Sequence, residues 1–219
     1  MLDVSLPPTM PPAARVALLI GSSRPNGNGP GLAAWFSQLL DARLNSPHSK
    51  TPVAIVRVDP TQPPHPLGPV VDGSQLPAQV PSSDAYASPA VRAWSRLVAS
   101  CAALAVVAPE YNGGYPGELK NALDHLYREW AAKPVLLLTY GGGGGVRCAA
   151  QLQTVLAALR MQPVADPLGV RLPPAYTGGP ERVPPAGPYP EFLAAYEGAV
   201  NGAADRLGEA LLARPAAKL

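Results

Sequence analysis

The sequence has few cysteines, few charges and no long apolar run, and each shortage excludes a class of protein. Its two cysteines, Cys101 and Cys148, provide neither a disulfide framework nor a metal site built from cysteine ligands. Charged residues make up only 15% of the chain and leave a net charge of +2, without the lysine and arginine cluster that nucleic-acid binding needs. Apolar runs such as Val16–Ile20 and Val135–Leu138 are far shorter than the roughly 20 residues of a membrane-spanning helix.

The first residues also lack the positively charged segment followed by an apolar segment that marks a secretory signal. We therefore expect a cytoplasmic protein that has no nucleic-acid partner and no membrane partner. With 219 residues, the chain is long enough to bury a full hydrophobic core.

Proline, in contrast, is abundant, with 29 residues that crowd into segments 7–12, 60–89 and 163–190. This distribution predicts a disordered N-terminal arm over residues 1–14, one domain over residues 15–213 and a short tail over 214–219. Within the domain, residues 60–88 form a Pro-rich loop that is longer than a simple connection. Loops of that length are typically functional lids or flexible insertions.

Apolar runs and helical periodicities alternate along the domain. Strands are predicted at Arg15–Ile20, Val53–Val58, Ala103–Ala108, Val135–Thr139 and, interrupted by Pro167, within Val164–Leu172. Helices are predicted from about Pro30 to Leu44, Pro89 to Ser100, Val146 to Met161 and Pro190 to Ala213, and from Pro116 along the stripe Leu119, Leu123, Leu126 and Trp130. This alternation predicts an α/β fold with a five-stranded parallel sheet, helices on both faces and the flavodoxin-like strand order 2-1-3-4-5.

In that order the topological switch point lies between the first and third strands, and ligands of open α/β sheets bind at such points. The turns that follow these two strands are Gly21–Gly29 and Pro109–Tyr115. In the second turn, Pro109 ends the strand, Asn112 to Gly114 supply backbone freedom, and Pro116 suits a helix N-terminus. A Gly-rich turn that opens a helix directs backbone N–H groups into the crevice, which suits an anionic ligand.

The first turn, GSSRPNGNGPG, contains neither a phosphate-binding Gly-Lys-Ser/Thr motif nor G-x-G-x-x-G at the strand end. Its hydroxyls at Ser22 and Ser23, its guanidinium at Arg24 and its amides at Asn26 and Asn28 suit a monophosphate. An ordinary polar turn with a surface arginine is the alternative interpretation.

The run Gly141–Gly145 contains more glycines than a turn requires. Five glycines allow the backbone to lie flat against a planar ligand, although a merely flexible loop remains the alternative. His125 has no cysteine or histidine neighbour at ligand spacing, so we predict no metal site.

Three segments together carry a family resemblance: IGSSRPNGNGPGLAAW, PEYNGGYPGELKNALDHLYREW and KPVLLLTYGGGGGVRCAAQL. Over roughly residues 15–172 the chain resembles the NADPH-dependent FMN reductase family of flavodoxin-like quinone, azo-dye and chromate reductases. The resemblance implies FMN at the switch point, NADPH or NADH as the hydride donor in a ping-pong cycle, and a small-molecule acceptor such as a quinone or flavin itself. It also implies a homodimer, in some members a tetramer.

Carried over by position, the resemblance implies that the FMN phosphate is held by Ser22, Ser23, Arg24, Asn28 and Gly29. It implies an isoalloxazine edge lined by Pro109, Glu110, Tyr111, Asn112 and Gly113. The opposite side of the flavin would be contacted by Thr139, Tyr140, Gly141, Gly142 and Gly143. On this basis we expect a Cβ at Gly142 or Gly143 to intrude on the flavin or to need a strained φ.

Tyr115 is implied as part of the substrate wall, and no general acid or base is assigned, because the flavin performs the chemistry. Relatives often carry a second basic residue at the position of Gly27, so the sequence predicts a phosphate site with one cation. Two other functions stay open. One is a flavodoxin-like electron carrier, which the slightly basic composition disfavours, since such carriers usually have an acidic docking face. The other is a flavin-free interaction module.

Overall fold

A computed structural model describes residues 14–47, 52–70 and 75–213. Its strands are β1 (Ala14–Ile20), β2 (Val53–Val58), β3 (Ala103–Pro109), β4 (Pro134–Gly141), β5 (Gln162–Pro163) and β6 (Leu168–Arg171). Its α-helices are α1 (Gly29–Leu44), α2 (Pro89–Ala99), α3 (Gly117–Asp124), α4 (Val146–Ala158), α5 (Pro174–Thr177) and α6 (Ala194–Ala213). Residues 1–13 of the predicted arm and the predicted tail, 214–219, lie outside the described residues. Ala14, predicted from the sequence to belong to the arm, is the first residue of β1.

The strands form one parallel sheet in the order β2-β1-β3-β4-β5, with β6 also paired to β4. This confirms the predicted flavodoxin-like order. The pairings of β1 with β2 and of β1 with β3 bring the carboxyl ends of the three strands to the same edge. The switch point between β1 and β3 is therefore where the sequence predicts it.

The fifth strand differs from the prediction of a single element within Val164–Leu172. The edge position beside β4 is occupied first by the two-residue β5 and then by β6, which pairs with Leu138 to Gly141. Pro163 and Pro167 lack the N–H groups that a continuous ladder would use, which explains why this edge strand is divided.

Successive strand residues point to opposite faces of the sheet, and each face is covered by helices. On one face Leu18 and Ile20 pack with the apolar residues of α1 and α6. On the other face Leu19 and Val106 pack with those of α2, α3 and α4. Both faces of the central strands are consequently dry, and the carboxyl edge remains the exposed place for chemistry.

The central helix is shorter than its apolar stripe predicts, because α3 ends at Asp124. Trp130 lies in a separate 3₁₀ turn, yet its side chain is fully buried. Its indole N–H donates to the carbonyl oxygen of Leu123 at 3.0 Å, and that of Trp94 donates to the oxygen of Ala122 at 2.9 Å. Both indoles thus donate to carbonyl groups in the last turn of α3, where helical partners are incomplete.

Two further boundaries differ. Helix α4 ends at Ala158 rather than near Met161, and the predicted C-terminal helix begins as a 3₁₀ turn at Glu191–Leu193 before α6. Helix α5 was not predicted, since Pro173 and Pro174 mark that region as a loop.

The Pro-rich segment 60–88 contains two 3₁₀ turns, Pro77–Gln79 and Ser83–Ala85. Its described residues are tied to α2 and to the region after α3: Arg92 donates to the carbonyl oxygen of Tyr86 at 2.7 Å, and Arg128 donates to that of Ala78 at 3.0 Å. They line a separate cavity of about 300 Å³ together with His125.

Within the described ranges, no helix combines the length and the apolar character that a membrane crossing requires. The cytoplasmic location expected from the sequence stays a prediction.

Candidate functional site

A cavity of about 530 Å³ opens at the carboxyl ends of β1, β3 and β4. Its volume falls within the range of roughly 300–1,000 Å³ that is typical of small-molecule and cofactor sites. Its walls are formed by residues 24–28, 109–111 and 140–142, together with Leu172, Tyr176, Thr177 and Arg182. None of the described residues of segment 60–88 lines it, so the described part of that segment is not a lid over this cavity.

The turn after β3 has the two-residue geometry that presents Tyr111 to the cavity. Asn112 and Gly113 have φ values of 50° and 83°, and Tyr111 and Gly114 exchange backbone hydrogen bonds of 2.8 and 2.9 Å. Two consecutive positive φ values are the mark of a type I′ turn, for which Asn-Gly is the favoured pair. Asn112 and Gly113 therefore shape the turn, whereas Pro109, Glu110 and Tyr111 line the cavity.

Arg24 is the residue of the first turn that reaches the cavity with a charge. Its guanidinium carbon lies 4.0 Å from the centroid of the Tyr111 ring, a cation–π arrangement. Its backbone N–H donates to the Ser22 hydroxyl at 3.3 Å. Ser22 itself is only 6% exposed, so its hydroxyl holds the turn from the buried side.

The other residues predicted for the phosphate site contribute mainly to the shape of the loop. Ser23 donates from its hydroxyl to Glu118 in the first turn of α3 at 2.6 Å. Asn28 lines the cavity, but its side-chain amide binds two backbone groups of residues 176 and 183. Gly29 begins α1, and a Cβ there would lie 3.0 Å from the hydroxyl oxygen of Tyr140. That close approach explains the glycine.

In the glycine run, the positions that require glycine are not those expected. Gly144 and Gly145 have φ values of 77° and 72°, and a Cβ at Gly145 would lie 2.8 Å from the Tyr140 nitrogen. Gly142 and Gly143 lie outside the left-handed region, and nothing within 4 Å opposes a Cβ at Gly143. Of the two reasons expected to exclude a side chain at Gly142 and Gly143, a strained φ is therefore wrong, whereas intrusion on the flavin stays a prediction.

Thr139 and Tyr140 have different positions at the end of β4. Thr139 is fully buried, and its hydroxyl donates to the carbonyl oxygen of Gly144 at 3.0 Å, which fixes the glycine turn. Tyr140 lines the cavity, as do Gly141 and Gly142. Burial, followed by the nearby Tyr111, raises the pKa of the Tyr140 phenol far above its ordinary value, so this phenol stays protonated.

An ion pair closes one side of the site. The Glu110 carboxylate accepts hydrogen bonds from Nε of Arg147 at 2.9 Å and from the Arg147 backbone N–H at 3.1 Å. The neighbouring Cys148 is fully buried, and burial, followed by the charge of Glu110, raises the pKa of its thiol to about 12. Cys148 is thus a packed helix residue and not a reactive thiol.

Tyr115 lies outside the cavity lining and packs, half-buried, against the core on the α2, α3 and α4 face. Its predicted role in the substrate wall stays a prediction.

Sequence reasoning missed an entire wall of the cavity, formed by residues 172–183, which we call the C-terminal strap. Leu172, Tyr176, Thr177 and Arg182 of the strap line the cavity, and the Tyr176 ring packs on Phe192 with centroids 5.0 Å apart. The prolines of this region indicate an irregular segment but not where it lies. The one available signal was an arginine, Arg182, in a chain poor in charge.

The lining fits FMN in its chemistry. Arg24 and Arg182 offer guanidinium groups to a phosphate beside the N-terminus of α1. On the other side, the backbone N–H groups of Gly142 and Gly143 have no hydrogen-bond partner in the part of the chain that the structure describes. Among the described residues, no three histidine, cysteine, aspartate or glutamate side chains are grouped as metal ligands.

Comparison with known proteins identifies the family of the chain. The family model for NADPH-dependent FMN reductase matches residues 14–170. An NAD(P)H-dependent FMN reductase of Saccharomyces cerevisiae is 37% identical over 171 residues, which cover 78% of this chain and 87% of that protein. A quinone reductase of Escherichia coli is 40% identical over a shorter stretch of 75 residues, 32% of this chain and 40% of that protein.

Among solved structures, a flavoenzyme NAD(P)H:(acceptor) oxidoreductase from Paracoccus denitrificans superposes with a TM-score of 0.64 at 20% identity. The match covers 90% of this chain and 98% of that one, which supports the fold. The family model and the yeast relative go further, because both cover most of the sequence. The chain belongs to the NADPH-dependent FMN reductase family.

Proposed function

We propose that this chain is an NAD(P)H-dependent FMN reductase that reduces quinones or similar small acceptors. The observation that carries the proposal is that one cavity at the switch point is lined by Arg24, by the Pro109–Tyr111 edge and by the Tyr140–Gly142 turn. When bound, FMN supplies the ring that accepts and releases a hydride, while the protein supplies binding and position.

Each wall has a separate task in this proposal. Arg24 binds the phosphate from the loop before α1. The Pro109–Tyr111 backbone, held by the hydrogen bond from the Glu110 N–H to the Tyr140 oxygen at 2.9 Å, forms the edge of the ring site. The N–H groups of Gly142 and Gly143 have no hydrogen-bond partner among the described residues, and Gly142 lines the cavity, so this turn supplies donors for electronegative atoms of the ring.

The described lining holds no group that is arranged as a general acid or base. Glu110 is engaged by Arg147, and burial raises the pKa of the Tyr140 phenol, which makes this phenol a weaker proton donor than an ordinary tyrosine. In this proposal the protein contributes orientation and exclusion of water, and FMN supplies the chemistry when it is bound.

Titration of the purified protein with FMN, followed by absorbance and flavin fluorescence, tests the cofactor. Anaerobic mixing with NADPH and then with NADH tests the enzyme, and a panel of quinones, azo dyes, chromate and free flavin defines the acceptor. Bleaching of the bound flavin by a nicotinamide without any partner protein supports the enzyme over the electron carrier. A protein that shows no flavin spectrum after incubation with FMN and removal of the free flavin would rule out both the enzyme and the electron carrier.

We also propose a homodimer, with a tetramer as the alternative. The apolar stripe Leu119, Leu123, Leu126 and Trp130 is buried within the protomer and is consumed by its core. Tyr127 remains half-exposed beside this stripe, with the guanidinium of Arg160 5.8 Å from its ring centroid, and offers an aromatic surface for association. Light scattering at micromolar concentration gives the mass, and a monomer contradicts the proposal.

A further inference from the structure

We propose that the C-terminal strap is part of the cofactor site and that Arg182 is a second cation for the FMN phosphate. This inference rests on the proposed function. It concerns a segment beyond the matched family region, which ends at residue 170. Its starting point is that Arg24 is the one basic residue of the turn Gly21–Gly29.

The strap is held against the phosphate loop by specific contacts. Asn28 donates from its amide nitrogen to the carbonyl oxygen of Tyr176 at 2.8 Å and accepts from the N–H of Val183 at 3.0 Å. At Gly31, in the first turn of α1, a Cβ would lie 1.9 Å from the carbonyl oxygen of Val183, so only glycine allows this approach. The strap is therefore tied to the loop by the Asn28 side chain and packed against the backbone of α1 at Gly31, which gives it a defined position at the cavity.

Arg182 is oriented by three carbonyl groups. Its Nε donates to the oxygen of Asn26 at 2.6 Å, and its Nη1 donates to the oxygens of Gly179 at 2.8 Å and Glu181 at 2.6 Å. These bonds use three of the five guanidinium N–H groups. The two on Nη2 have no partner among the described residues, and the side chain lines the cavity. The guanidinium is thus fixed along one edge and free along another.

The balance of charge in the cavity points to an anion at this end. Among the described lining residues, Arg24 and Arg182 are the cations, and the one carboxylate, Glu110, is paired with Arg147. Arg24 also stacks on Tyr111, so its face is occupied while its N–H edge remains available. A phosphate monoester carries about −1.5 to −2 charges at pH 7, which two guanidinium groups match better than one.

The test compares FMN with riboflavin, which has the same ring but no phosphate. Dissociation constants for both are measured by flavin fluorescence on wild type, Arg182→Ala and Arg182→Lys. The control is Arg171→Ala, which removes an exposed arginine outside the cavity lining. We expect Arg182→Ala to weaken FMN binding about tenfold to a hundredfold and to leave riboflavin binding unchanged. Arg182→Lys should retain much of the preference for FMN, and the control should change neither constant.

Each other outcome is decisive. An unchanged ratio of FMN to riboflavin affinity in Arg182→Ala overturns the proposal. Equal weakening of both ligands means that Arg182 only anchors the strap, which also overturns it. If Arg182→Ala does not fold, as judged by circular dichroism, Arg182→Lys decides. This variant keeps the positive charge, so the loss of its preference for FMN over riboflavin contradicts a role based on charge. A wild type that binds neither flavin refutes the proposed function itself before any variant is compared.

Discussion

The hydroxyl oxygens of Ser22 and Tyr111 lie 2.6 Å apart and join the turn after β1 to the turn after β3. These are the two strands between which the strand order of the parallel sheet reverses. The Tyr111 ring also lies under the Arg24 guanidinium, and the Arg24 N–H donates to the Ser22 oxygen. Tyr111 therefore positions both the buried Ser22 and the charged side chain of Arg24 in the first turn, so the turns after β1 and β3 depend on each other.

This hydrogen bond should be detectable as a coupling in a double-mutant cycle. Tyr111→Phe and Ser22→Ala should each reduce the free energy of unfolding by about 1 kcal/mol, since each removes one partner of this partly buried hydrogen bond. The double variant should be less destabilised than the sum of the two, by about 0.5 kcal/mol or more. Urea denaturation of the four proteins measures the cycle, and strictly additive losses would show that the hydroxyls do not interact.

Arg24→Ala should selectively weaken the binding of FMN. A charge-assisted hydrogen bond to phosphate contributes about 1.5–3 kcal/mol, which corresponds to about a tenfold to hundredfold loss of affinity. Riboflavin should bind the variant and the wild type almost equally, and excess FMN should restore most of kcat, because the ring is held by other walls.

The sequence alone predicts that Arg24 is hard to replace, since Gly27 offers no second charge. With Arg182 on the same cavity, we expect the loss in Arg24→Ala to stay partial. Fluorescence titration with both flavins measures it, with Arg171→Ala as the matched control. An Arg24→Ala protein that prefers FMN to riboflavin as strongly as the wild type shows that Arg24 does not bind the phosphate.

Local sequence patterns were sufficient for the sheet order and for the turns at the switch point, because both follow from short-range signals. Ala103–Ala108 has the continuous apolar character of a central strand, and Asn112-Gly113 is the favoured pair of a type I′ turn. The C-terminal strap could not be predicted in the same way. Its place depends on contacts such as Asn28 with Val183, which are 155 positions apart and have no periodic signature.

The end of α3 illustrates a second limit. Leu126 and Trp130 continue the helical spacing of Leu119 and Leu123, and all four side chains are buried as that spacing indicates. The backbone nevertheless leaves the helix after Asp124, and the indoles of Trp94 on α2 and of Trp130 in the following 3₁₀ turn donate to carbonyl oxygens of its last turn. Burial was predictable from the spacing, but the path of the backbone depends on such tertiary contacts, which have no periodic signature.

Gly145→Ala should destabilise the fold, whereas Gly143→Ala should not. At Gly145 the φ of 72° and a Cβ position 2.8 Å from the Tyr140 nitrogen both oppose a side chain. We expect a loss of about 1–3 kcal/mol in the free energy of unfolding. At Gly143 a Cβ would meet no atom within 4 Å, and the change should stay within about 0.5 kcal/mol. Equal stability of the two variants in urea denaturation contradicts the assignment.

Gly142→Val should separate folding from cofactor binding. A Cβ at Gly142 would lie 3.9 Å from the Thr177 methyl carbon, which is ordinary contact, so the fold should tolerate the change. Gly142 lines the cavity, however, and a branched side chain there should obstruct the flavin. We expect a normal melting temperature with at least tenfold weaker FMN binding. Full FMN content and normal kcat in this variant show that the glycine turn does not contact the cofactor.

The buried thiols should make the protein sensitive to alkaline pH but not to mild oxidants. Burial raises the pKa of Cys148 to about 12 and also raises the pKa of Cys101. A thiol whose pKa is higher in the folded state than in the unfolded state favours the fold while both states are protonated, and that contribution is lost as the unfolded thiol ionises. The free energy of unfolding should therefore fall above about pH 9, by up to about 1.4 kcal/mol per pH unit for each thiol, and level off for Cys148 near pH 12.

Cys148→Ala is the matched variant for this prediction, since it removes one titrating group and leaves Cys101 in place. Its unfolding free energy should decline less steeply between about pH 9 and about pH 11 than that of the wild type, as measured by urea denaturation at a series of pH values. In this range the thiol of Cys148 ionises in the unfolded state but stays protonated in the folded state, where its pKa is about 12. In the folded wild type at pH 8, a maleimide should label neither thiol at the rate of a free cysteine, and it should label both after unfolding. Rapid labelling of Cys148 in the folded protein would mean that the start of α4 opens, and that the Glu110–Arg147 pair beside the site does not hold it closed.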